Sequence, residues 1–144
     1  MQETASGFFT IMAKKKTTIK KSRVEKPYNC GTMSKAAFFS HIRSTLRNAS
    51  RWWKPIAEAK KLARRAYKGI NKRQKWEYQC NHCKNWFGDK EIDVDHILEA
   101  GSLKDYNDLP GFVERLFCEV EGFQVLCKEC HKTKTKGYMD SKKN

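Results

Sequence analysis

Between residues 33 and 69 the apolar positions recur at three- and four-residue intervals, which places them on one face of a helix. Ser34 is positioned to cap the first helix, and Ala37, Phe38, His41, Ile42 and Leu46 form its stripe. Pro55 suits the first turn of a second helix, with Ile56, Ala59, Leu62, Ala63 and Ala66 as its apolar face and Gly69 as its stop. Trp52 and Trp53 open this second element and are expected to pack between the helices. Residues 70–75 (INKRQK) form a polar hinge.

Beyond the hinge the period shortens. WEYQC (76–80) and EIDVD (91–95) read as short strands, divided by a Cys-x-x-Cys turn and by Gly88-Asp89. Trp86 and Phe87 are expected to cover that turn. Pro110 opens a short helix carrying Phe112, Val113, Leu116 and Phe117. Phe123 to Leu126 is extended, and a final helix runs from about Glu129 through His131 to Lys136. There is no internal repeat, and the class is α+β.

Charge changes this picture by region. The net charge is +14, yet residues 79–126 invert the sign, with four basic and ten acidic side chains. The flanks are basic: twelve cations against two anions over 41–78, and six against two over 127–144. A basic chain around one acidic island suits a polyanion binder that also holds cations. The run KKKTTIKKSR (14–23) lacks an apolar period and belongs to a flexible basic arm over 1–31. Residues 32–75 then form a basic helical region whose Arg43, Arg47, Arg51, Lys60, Lys61, Arg64 and Arg65 are candidate phosphate contacts, joined by Lys134 on the last helix.

No segment reaches transmembrane length, and an acid precedes the short apolar run near the N-terminus, so neither a membrane span nor a secretory signal is expected. Met12, followed by Ala-Lys-Lys-Lys, offers a second start. The expected setting is intracellular, where cysteines stay reduced and bind metal. Of the six cysteines, Cys80-x-x-Cys83 and Cys127-x-x-Cys130 carry the strongest signal: each turn can present two sulfurs to one ion, and together they complete a tetrahedron around zinc. Cys30 and Cys118 lie outside the pattern, and Cys118 reads as a small core residue.

Between the pairs stands Asp93-Val94-Asp95-His96-Ile97, and His131 follows the last cysteine directly. The string C-x-x-C … V-D-H-I … L-C-x-x-C-H-x-x-K resembles the cysteine-containing branch of the HNH (ββα-metal) endonucleases, especially small phage-encoded ones, over roughly residues 76–136. The resemblance implies an HNH domain over 76–138 on a four-cysteine zinc site, with 139–144 as a tail. It implies that Asp95 and His131 bind a catalytic Mg²⁺ or Mn²⁺ and that His96 activates water. It also implies double-stranded DNA as partner, with 5′-phosphate and 3′-hydroxyl products. A monomer is slightly favoured, and it would nick one strand. A non-catalytic zinc module that binds DNA and an RNA-directed protein are the competing readings. His41 and His82 are left without a role.

One position departs from the family. Where the pattern before the second cysteine pair has Asn, this chain has Gly122; Asp93, Glu99, Asn107 and Gln124 are the candidates to replace it. Because neighbouring strand residues point to opposite faces, Asp95 and His96 can serve one site only if the strand ends or bulges there.

Overall fold

The computed structural model describes residues 22–143. Helix α1 spans Lys35–Ser50 and is capped by Ser34, whose side chain accepts from the Ala37 amide. Residues 28–31, expected in the flexible arm, instead form a turn closed by a Tyr28–Met33 bridge, and the Tyr28 ring stacks on Phe38 at 4.3 Å. The rest of that arm, through residue 21, lies outside the described residues.

Helix α2, Lys54–Leu62, starts at Pro55 as the sequence predicts but stops seven residues before Gly69. Residues Arg64–Ala66 turn into a strand, β1, which pairs antiparallel with β2, Trp76–Gln79. The expected hinge is therefore the tip of a β-hairpin. The helical period misled because Ala63 and Ala66 fit either spacing, whereas Leu62, counted in the apolar stripe, is exposed. Cross-strand packing decided the matter: Arg64 stacks on Trp76 and Arg65 on Trp86, contacts a helix would not bring together.

Strand β3, Trp86–Phe87, completes a three-stranded sheet in the order β1-β2-β3. Strand β4, Ile92–His96, pairs antiparallel with β5, Phe123–Cys127, in a separate two-stranded sheet. The chain between them holds α3, Leu109–Leu116, opened by Pro110. Cys127 ends β5 and also caps α4, Lys128–Ser141, accepting from the Cys130 amide at 3.4 Å. No loop separates strand from helix.

The core falls into two parts. A helical part joins Phe39 of α1 to Ala100, Leu103, Phe112 and Leu116, with Phe38, Ile42 and Leu46 packed around it. A sheet part joins Tyr78, Ile92 and Val125, flanked by Phe87, which also touches the buried cysteines. Trp53 packs as expected: its ring stands edge-on to Phe117 and its N–H donates to the Cys118 carbonyl at 2.7 Å. Trp52 does not, being 89% exposed. Among the described residues no helix is long and apolar enough to cross a membrane.

Candidate metal centres

The four thiols of Cys80, Cys83, Cys127 and Cys130 lie within 4.8 Å of one another. A tetrahedral zinc thiolate site needs sulfurs about 3.8 Å apart, so the donor set fits a structural metal such as zinc with small side-chain adjustments. The first pair sits on the turn after β2, which closes through Cys80 N–H to the Asn85 carbonyl, and Lys84 takes a positive φ to let the chain reverse. That turn is pinned to β5 by the Asn81 amide on the Val125 carbonyl at 2.7 Å. The second pair sits on the β5–α4 junction. Burial alone would raise the Cys80 thiol, but amides of Cys127, Cys83 and His82 point at it and hold it at about 6. The Cys130 thiol, bonded by Cys127, is pushed up to about 12. His82 rests on Cys130, with Nδ1 3.4 Å from its sulfur.

Beside this cluster the β4/β5 pair has two unlike faces. Residues directly opposite in an antiparallel pair share a face, so Asp93, Asp95, Gln124 and Leu126 line one side. Ile92, Val94, His96, Phe123 and Val125 line the other. Helix α4 packs on the acidic side and presents His131 and Lys134, three residues apart and hence neighbours on its surface. His131 Nδ1 donates to Asp93 Oδ2 at 3.1 Å, and its Nε2 stands 3.7 Å from Asp95 Oδ1. Because a carboxylate only accepts, the hydrogen bond puts a proton on Nδ1 and leaves Nε2 as the ring nitrogen that faces Asp95. Burial would raise the Asp93 carboxyl, but His131 and Lys128 hold it below its usual range.

The Lys134 ammonium enters the same acidic recess. It donates to Asp95 Oδ2 at 2.5 Å, to the His96 carbonyl, and pairs with Glu99 at 3.2 Å. Burial opposes its charge, yet these carboxylates raise its pKa. Lys134, expected to face DNA, is thus turned inward. In this structure the cation in the recess is the Lys134 ammonium itself, held between Asp95 and Glu99.

His96 is not part of that cluster. The strand is regular up to His96 and ends there, so its ring points away from Asp95. Its Nε2 bonds the Leu116 carbonyl at 2.9 Å, and its ring lies 4.7 Å from that of Phe123. A carbonyl accepts only, so in the neutral ring the proton sits on Nε2 and Nδ1 keeps the lone pair.

Gly122 has a steric reason. A β-carbon there would collide with the Cys118 sulfur and lie 2.8 Å from its β-carbon. An Asn at this position has no room while Cys118 stands beside it. Of its candidate replacements, Asp93 holds His131, Glu99 holds Lys134, and Gln124 accepts from Asn81 at 3.1 Å. Asn107 lies in a short 3₁₀ turn, Tyr106–Asp108. Asp93 was legible in principle as the partner of Asp95 two residues on, the spacing that shares a strand face.

The basic residues are placed unevenly. Arg51 and Lys61 are exposed, and Arg43 is half-buried. Arg47 lies over the Phe112 ring. Lys60 pairs with Asp89 and covers Tyr78, while Arg65 pairs with Glu77 at 2.6 Å. Compared with protein-family models, with curated proteins and with solved structures, the chain matches none.

Proposed function

We propose that this protein is a metal-dependent endonuclease of the HNH type, acting on double-stranded DNA. The observation that carries the reading is the Asp93–His131–Asp95 arrangement: an imidazole on α4, the helix that begins at the four-cysteine cluster, is oriented by one carboxylate of β4 and faces a second. Since Asp95 and His96 stand on opposite faces of β4, a phosphodiester would have to cross the end of that strand to meet Asp95 and His131 with one edge and His96 with the other. His96 then accepts a proton from water at Nδ1, the nitrogen that the Leu116 carbonyl leaves unprotonated. Asp95 and His131 would hold the divalent ion, which would supply neutralisation of the charge that builds on the phosphate and leaving oxygens. Asp93 keeps His131 in the tautomer such binding requires. The expected products carry a 5′-phosphate and a 3′-hydroxyl.

One observation favours a second reading, a zinc-stabilised DNA-binding module without catalysis: Lys134 already satisfies Asp95. Nicking of supercoiled plasmid by the zinc-loaded protein with Mg²⁺ or Mn²⁺ decides between them. Cleavage that needs the added ion and is lost in His96→Ala supports the nuclease. DNA binding with no cleavage under either ion supports the module.

A further inference from the structure

The β1–β2 hairpin belongs to neither metal centre, and its chemistry points to a partner. From residue 59 to residue 76 the chain carries eight Lys and Arg and no carboxylate. At the hairpin tip Lys68, Lys72, Arg73 and Lys75 are all exposed, and none makes an ion pair among the described residues. Between them Ile70 is 98% exposed, more than any other large apolar side chain described. A bare isoleucine ringed by free cations is costly to keep in water and useless to the core.

The tip is also built rather than slack. Tyr67 N–H bonds the Lys75 carbonyl at 3.0 Å, which carries the strand pairing one residue beyond β1. Asn71 accepts from the Arg73 amide through its side chain and from the Gln74 amide through its carbonyl. Tyr67 lies against Gly69, where any β-carbon would overlap its ring. At the hairpin base, Arg64 stacks on Trp76 at 4.1 Å and Arg65 on Trp86 at 3.7 Å, stiffening both strands.

We infer that this hairpin is a second DNA-contacting element, which straddles the minor groove of a duplex with its lysines and arginine on phosphates and inserts Ile70 as a wedge at a base step. Phosphate complementarity follows from the unpaired cations, and an apolar side chain at the centre of a basic tip is the arrangement that unstacks and kinks DNA from the minor groove. The inference rests on the DNA reading above but not on cleavage. It places the contacts on the tip at 68–75, the end of the basic region over 32–75, where the sequence reads 70–75 as a polar hinge.

The test uses the full, zinc-loaded chain carrying His96→Ala, without added Mg²⁺, binding duplexes that contain 2-aminopurine at successive steps. Lys72→Ala/Arg73→Ala is expected to make the slope of log affinity against log salt shallower by about two. Ile70→Ala is expected to leave that slope unchanged and abolish the rise in 2-aminopurine fluorescence that reports unstacking. Equal melting temperatures for all three proteins establish that the fold is intact. A slope untouched by the double substitution, or a fluorescence rise that survives Ile70→Ala, overturns the inference. Plasmid nicking by the chain with His96 restored is scored separately: hairpin effects without nicking leave this inference standing and remove the nuclease, and the converse result does the opposite.

Discussion

Asp93 and His131 are 38 positions apart in the chain and are joined by one 3.1 Å hydrogen bond, which sets the tautomer of the imidazole that faces Asp95. Replacing Asp93 by Asn keeps the shape and removes the charge that holds the Nδ1 proton. The expected consequence is a loss of about 10- to 100-fold in Mn²⁺ affinity with little change in melting temperature. Titration followed by the Mn²⁺ paramagnetic resonance signal measures it, and undiminished affinity would show that His131 needs no such partner.

Lys134 competes with any cation for Asp95. Lys134→Gln should therefore raise Mn²⁺ affinity by roughly tenfold, since an ammonium in direct contact with the donor carboxylates is removed from a partly screened recess. Calorimetric titration of both proteins checks this. Weaker binding in the variant would mean that Lys134 positions Asp95 for the ion instead of opposing it.

Placing an asparagine at position 122 should fail locally. Gly122→Asn forces a β-carbon onto Cys118 and is expected to destabilise the protein by about 1–3 kcal/mol. Cys118→Gly removes both colliding atoms, so the double variant should recover much of the loss. Denaturant melts of the four proteins form a cycle, and additive effects would place the cost elsewhere.

Zinc uptake carries its own pH signature. With its thiol held at about 6, Cys80 is already ionised at pH 7.5, so the metal-free protein should release fewer than four protons on binding zinc. Below about pH 6 the count should rise. The sign follows from a depressed folded value: the thiolate's contribution to stability is fully present above its ordinary value of 9.0 and is lost as pH falls through 6. Calorimetry in buffers of different ionisation heat gives the proton count. Cys80→Ser should flatten its pH dependence.

Much of this is legible in the sequence alone, and the reasons are local. Ser34 and Pro55 announce helix starts through hydrogen bonding and a fixed φ, properties of single residues. The paired cysteines announce their cluster through spacing. What stayed hidden depends on partners distant in sequence. Whether Arg64–Ala66 is helix or strand is decided by Trp76, Tyr78 and Trp86, which no short window contains. Trp52 and Trp53 are chemically identical neighbours, and only Phe117 and the Cys118 carbonyl distinguish the packed one from the exposed one. The direction of His96 likewise needed the register of β4 against β5 and the position of the Leu116 carbonyl.

The two halves of the chain are also not separable goods. Phe39 of α1 fills the same core as Phe112 and Leu116, which lie between the strands that carry the acidic recess. Strand β1 supplies an edge to a sheet whose next strand begins at Trp76. A recombination crossover near residue 75 would strip one half of its core and the other of a strand. The motif-bearing half is therefore not a cassette that evolution, or an engineer, can graft onto a new N-terminal arm. Any change in what this half does must come by substitution on the surfaces the chain already has.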